Sequence, residues 1–128
     1  CPSKEYYLDE KYIQVAEDNC KKEGSEFNIS HNIEKAYSEK DIVYAKSWGC
    51  LSSYGQPEIQ MVSNNTHKNF IVDSHKMSLT KSGVFSHCLP LRRNIKATDE
   101  VMDSDYCLAI KEAANRKHVQ KSLLTKIL

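Results

Sequence analysis

At 128 residues, with 40% hydrophobic and 27% charged residues, the chain has the size and composition of one ordinary globular domain. A net charge of +1 supplies no global field for nucleic acid or an anionic membrane, so any basic site must be local. No apolar run reaches membrane-spanning length, and the opening Cys1-Pro2-Ser3-Lys4-Glu5 has no signal-peptide character.

The five cysteines, at 1, 20, 50, 88 and 107, include no C-x-x-C pair, which argues against a disulfide framework or a zinc site and for a reducing cytoplasm. Two N-x-S/T sequons, Asn28-Ile29-Ser30 and Asn64-Asn65-Thr66, read as coincidence without a secretory signal. Tyr12, Ile13, Ala16 and Cys20 recur at helical spacing between a candidate cap at Asp9 and a stop at Gly24, which predicts a helix over 9–23. Residues 26–29 are a short strand candidate, and Ile33, Ala36 and Tyr37 mark a brief helix. The β-formers of 41–45 suit a strand buried on both faces. Residues 46–67, rich in Ser, Gly, Asn and Gln and holding Pro57, read as one long loop of the kind that is usually functional. Strands are then expected at 69–72, 84–88 and 107–110, a short helix at 75–79, a loop over 89–96 and a helical turn at 98–102. From Glu112 onward Val119, Leu123 and Ile127 share one helical face.

Short apolar strands alternating with helices predict an α/β fold with a parallel sheet flanked by helices. Ligands of such sheets bind beyond the carboxyl ends of strands, which points to the loops at 46–56 and 87–96. The second of these contains His87-Cys88-Leu89-Pro90-Leu91-Arg92-Arg93-Asn94-Ile95-Lys96. An isolated His-Cys pair would suit a buried thiol beside a solvated basic loop.

The pair is not isolated. His87-Cys88-Leu89-Pro90 at a strand end is similar to the signature of ornithine-type transcarbamylases. The run from Leu91 through Ala97-Thr98-Asp99-Glu100 to Val101 resembles the sequence that follows it in N-acetylornithine carbamoyltransferases. Asp41-Ile-Val-Tyr-Ala-Lys-Ser-Trp-Gly49, Phe70-Ile-Val-Asp73 and the closing Glu112-Ala-Ala-Asn-Arg-Lys-His-Val-Gln120 add blocks in the right order. The resemblance implies a Rossmann-like second domain of a transcarbamylase, with 1–111 as an amino-acid (ornithine)-binding domain incomplete at its N-terminus. It implies that 112–128 is a C-terminal helix packing back toward a carbamoyl-phosphate domain.

The implied reaction is attack by the side-chain amine of N-acetyl-L-ornithine on the carbonyl of carbamoyl phosphate, giving N-acetyl-L-citrulline and phosphate in arginine biosynthesis. It needs oxyanion donors, cations for phosphate and a pocket that aligns the amine, but no protein nucleophile, metal or cofactor. Cys88 is therefore a substrate contact rather than a covalent catalyst. By resemblance, Cys88 and Leu89 sit against carbamoyl phosphate and the reacting amine, and Arg116 reaches the phosphate through a bidentate fork. Relatives acting on free ornithine carry Asp two residues before the Trp, facing the α-ammonium; here that position is Lys46, and the S-M-G triplet is missing. Acylation makes the α-amino group a neutral amide and leaves only the substrate carboxylate charged there, so a cation at Lys46 argues for an acylated substrate.

Lys96 matches the carboxylated lysine of the acetylornithine enzymes, a modification requiring a depressed amine pKa from burial or from neighbours such as Arg92 and Arg93. Its presence favours acetyl over succinyl. The family's Ser-x-Arg-Thr loop and His-Pro-x-x contacts are not in this sequence, so the chain is expected to be the substrate-domain piece of a longer enzyme that forms a homotrimer in the cytoplasm. The alternatives are an N-succinylornithine or ornithine carbamoyltransferase, and a non-catalytic amino-acid-binding module of the same fold. A nucleotide-binding domain is disfavoured because no G-x-G-x-x-G follows a strand.

Overall fold

The computed structural model of the chain describes residues 1–46 and 49–128, and at positions 60, 63 and 64 the backbone only. Ser47 and Trp48, part of the block that resembles the family after β1, lie outside the described residues. The chain divides into two compact units, Cys1–Ala36 with Trp48–Phe70, and Tyr37–Ser47 with Ile71–Leu128.

In the first unit α1 runs Glu10–Glu23. It is started by Asp9, whose side chain accepts from the Lys11 amide, and stopped by Gly24 at φ 65, a conformation that needs glycine's freedom. Ile13, Ala16 and Cys20 form its half-buried stripe as the spacing predicted, while Tyr12 is exposed. α2, Ile33–Tyr37, follows, its last residue belonging to the second unit. Residues 26–29 form no strand among the described residues. The expected long loop is broken by a 3-10 turn at Leu51–Ser53 and by α3, Pro57–Thr66. The sequence carried the signal for α3: Pro57 occupies the first helical position, where its missing N–H costs nothing, and Glu58 favours the first turn. Few apolar positions and polar composition hid it.

In the second unit β1, Ile42–Ala45, pairs in parallel with β2, Val84–His87, in the register Ile42↔Val84 through Ala45↔His87. α4 is Ser74–Ser78, α5 Asp99–Met102 and α6 Ala109–Ile127. The strands expected at 69–72 and 107–110 shrink to single parallel bridges, Val72↔Ala97 and Phe85↔Cys107. Lys68–Phe70 is instead a 3-10 turn, and α6 begins at Ala109 directly after Leu108 donates to the Phe85 carbonyl at 2.7 Å. Val72, Met77, Phe85, Ala97 and Val101 form the core, with Val43, Ala45 and Leu91 packed against it. β1 is half-buried on one face only: Val43 and Ala45 pack against the core cluster while Ile42 and Tyr44, on the opposite face, are exposed, because the core lies against one side of the strand pair. Gly83 enters β2 where a Cβ would lie 2.6 Å from the Lys40 carbonyl oxygen, so the approach of the two strand entries requires a glycine. No helix among the described residues is long and apolar enough to cross a membrane.

Candidate functional site at the strand ends

Parallel pairing sets the geometry. Because Ala45 and His87 are register partners, the residues leaving the two strands, Lys46 and Cys88, emerge side by side at their carboxyl ends. The Lys46 ammonium donates to the Cys88 sulfur at 3.2 Å, and both residues are exposed. A cation and a thiol therefore meet at the strand ends, on residues that are both exposed.

Beneath them His87 is almost fully buried, at 1% exposure. Its Nδ1 accepts from the Leu89 amide at 2.9 Å, which places the proton of the neutral ring on Nε2, an atom without a hydrogen-bond partner among the described residues. Burial first, then the Lys46 charge, lower the His87 pKa, with Lys96 adding to the effect and Glu112 opposing it. The ring is thus a neutral spacer in a cationic neighbourhood. Leu89 follows at φ 47, in the left-handed region that favours glycine, and its peptide to Pro90 is cis. Leu89 is half-buried beside Cys88.

The loop then brings Lys96 inward. The Lys96 amide donates to the Arg92 carbonyl at 3.1 Å and its carbonyl accepts from the Val72 amide at 2.9 Å, so the backbone on both sides is fixed. Lys96 is 3% exposed, and burial, reinforced by the nearby Arg92 charge, lowers its pKa. Arg93 does not share that task. Its guanidinium donates to Asp99 at 2.8 Å and to Asp103 at 2.5 Å, and Asn94, at φ 58, donates from its side chain to Asp99 at 2.7 Å. Arg93 is a staple of the loop, and Arg92 is the perturbing cation.

Arg116 lies exposed on α6 and is not in hydrogen-bonding contact with Lys46, Cys88 or Leu89. Four residues before it, the Glu112 carboxylate accepts from the Tyr44 hydroxyl at 2.9 Å and from the Ser86 hydroxyl. Sequence reasoning passed over Glu112, Tyr44 and Ser86. The available signal was the spacing: Glu112 and Arg116 are one turn apart, and Tyr44 and Ser86 each stand two residues before a candidate contact. No group of three His, Cys, Asp or Glu side chains among the described residues is arranged for a metal ion.

Residues 1–127 match the family described as aspartate/ornithine carbamoyltransferase, Asp/Orn binding domain. The chain belongs to that family. The match spans both compact units, so they are parts of one Asp/Orn binding domain. The N-acetylornithine carbamoyltransferase of Xanthomonas campestris pv. campestris is 51% identical over 128 residues, which cover 100% of this chain and 38% of that protein. An N-succinylornithine carbamoyltransferase of Bacteroides fragilis is 32% identical over 125 residues, covering 96% of the chain and 34% of that protein. A crystal structure of acetylornithine transcarbamylase complexed with acetylcitrulline superposes with a TM-score of 0.93 at 51% identity, over 100% of this chain and 38% of that one. The transcarbamylase domain thus spans well under half the length of the relatives it matches.

Proposed function

We propose that this domain is the amino-acid-binding half of an enzyme that transfers the carbamoyl group of carbamoyl phosphate to the side-chain amine of N-acetyl-L-ornithine, producing N-acetyl-L-citrulline and phosphate. The amine attacks as the free base, an oxyanion forms at the carbamoyl carbon, and phosphate leaves. The domain's part is alignment and charge. Cys88 and Leu89 line the carbamoyl group and the attacking amine, with the Leu89 carbonyl available to accept from the carbamoyl amide. Arg116 takes the phosphate through its planar fork. Lys46 faces the substrate carboxylate, and Lys96 carries a carboxylate after modification. Residues 1–111 form the substrate-binding body and 112–128 the helix that turns toward a carbamoyl-phosphate-binding half. The assembled enzyme is a cytoplasmic homotrimer. The greater identity to an acetylornithine enzyme than to a succinylornithine enzyme supports the choice of acyl group.

The observation that carries the reading is Lys46, whose ammonium stands 3.2 Å from the Cys88 sulfur at the strand ends. A cation there repels a free α-ammonium and attracts the carboxylate of an acylated amino acid. The test compares kcat/KM for N-acetylornithine, N-succinylornithine and ornithine in the complete enzyme, wild type and Lys46→Asp. N-acetylornithine should lead in the wild type. Lys46→Asp should cut its kcat/KM by roughly tenfold or more, as expected for reversing one charge–charge contact. Equal use of free ornithine, or an unaffected Lys46→Asp enzyme, would refute the assignment.

A further inference from the structure

Helix α6 has a slender attachment. Its N-cap residue, Leu108, makes no side-chain cap, Ala109 is buried, Glu112 is half-buried, and every residue from 113 to 128 is exposed. The described bonds that fix its start to the sheet are the Leu108 amide on the Phe85 carbonyl and the two hydroxyls on Glu112. Those hydroxyls come from Tyr44 and Ser86, which are register partners on β1 and β2. Alternation along a strand puts Tyr44 on the side of Lys46, and Ser86 on the side of Cys88. A single carboxylate therefore bridges the two strands just before each delivers a proposed substrate contact. One turn along α6, on the same helical side, stands Arg116.

We propose that Glu112 is a positioning residue for carbamoyl transfer: by joining Tyr44 and Ser86 it sets where α6 presents Arg116 relative to Lys46 and Cys88. The inference rests on the reading of Arg116 as the phosphate ligand. The donors suit the role. Hydrogen bonds from Ser86 and Tyr44 hold the Glu112 carboxyl below its ordinary pKa, so it is an anion with both oxygens accepting at neutral pH. The same contact pushes the Tyr44 phenol up to about 12, so it remains a donor throughout the working range. An anion in the first turn also suits the uncapped helix N-terminus.

The test is steady-state kinetics of the complete enzyme with each substrate varied in turn, for Glu112→Ala, Glu112→Gln, the pair Tyr44→Phe/Ser86→Ala, the triple combination, and Arg116→Lys as reference. Arg116→Lys and Glu112→Ala should each raise the KM for carbamoyl phosphate about tenfold, the scale of one charged hydrogen bond, with the KM for N-acetylornithine within about twofold. Glu112→Gln, which keeps one carbonyl acceptor, should show a smaller rise. Adding Glu112→Ala to the Tyr44/Ser86 pair should change the KM less than about twofold, since their effects share one contact. If Glu112→Ala does not fold, Glu112→Gln decides. A wild-type carbamoyl-phosphate KM in the Glu112 variants beside an impaired Arg116→Lys would overturn the positioning role and leave the Arg116 reading standing. Equal rises for both substrates alongside a lowered Tm would also overturn it, marking Glu112 as a general stabiliser. A wild-type carbamoyl-phosphate KM in Arg116→Lys would overturn the Arg116 reading, and the positioning role with it.

Discussion

At the scale of single residues, the site combines groups whose chemistry depends on how deep they sit. Lys46 is exposed at the strand end, whereas Lys96, 3% exposed, has a pKa lowered by burial and then by Arg92. A larger neutral fraction at working pH is the condition for attack on carbon dioxide, which forms a carbamate and releases a proton. The complete enzyme incubated with carbon-13 bicarbonate should therefore show a carbamate resonance that disappears in Lys96→Ala. That variant should lose activity, and Lys96→Glu should retain more of it by restoring an anion of shorter reach. A fully active Lys96→Ala enzyme in bicarbonate buffer, or a wild-type spectrum without the resonance, contradicts the modification. Acid mass spectrometry is the wrong probe, because protonated carbamates lose carbon dioxide.

At the scale of elements, what the sequence revealed depended on how locally each element is determined. α1 was legible from its cap, its stripe and its stop, all within 9–24. β1 and β2 were legible as compact β-forming runs, and their carboxyl ends marked the loops that carry Lys46 and Cys88. The segments 69–72 and 107–110 misled because β-forming residues do not fix the length of a ladder, which here reduces to one bridge each. The fates of Arg92 and Arg93 were not legible either: neighbours in sequence, one perturbs Lys96 while the other is bound by Asp99 and Asp103. Glu112 lies 68 positions from Tyr44 and 26 from Ser86, so only the folded chain joins them. The entry to β2 is sensitive to a small change. Gly83→Ala places a Cβ against the Lys40 carbonyl oxygen, a fixed backbone atom, and should lower stability by about 1–3 kcal/mol in denaturant unfolding. An unchanged unfolding midpoint and slope would show that the strand entry yields at no cost.

At the scale of the whole molecule, Lys46, Cys88, Leu89, Lys96 and Arg116 all belong to the compact unit of Tyr37–Ser47 and Ile71–Leu128. The proposed substrate contacts are thus fixed by one core, built on Phe85, Ala97 and Val101, and their relative positions follow from a two-strand register and one helix. In the proposed reaction these residues supply orientation and charge, and the attacking group is the substrate amine. The most direct measurement of this account follows the label from carbamoyl phosphate carrying carbon-13 at its carbonyl, mixed with N-acetyl-L-ornithine and the complete enzyme. Carbon-13 NMR should show the label moving into the ureido carbon of N-acetyl-L-citrulline, with one phosphate released for each label transferred. Label that remains in carbamoyl phosphate, or that appears only in its hydrolysis products, would contradict the assignment.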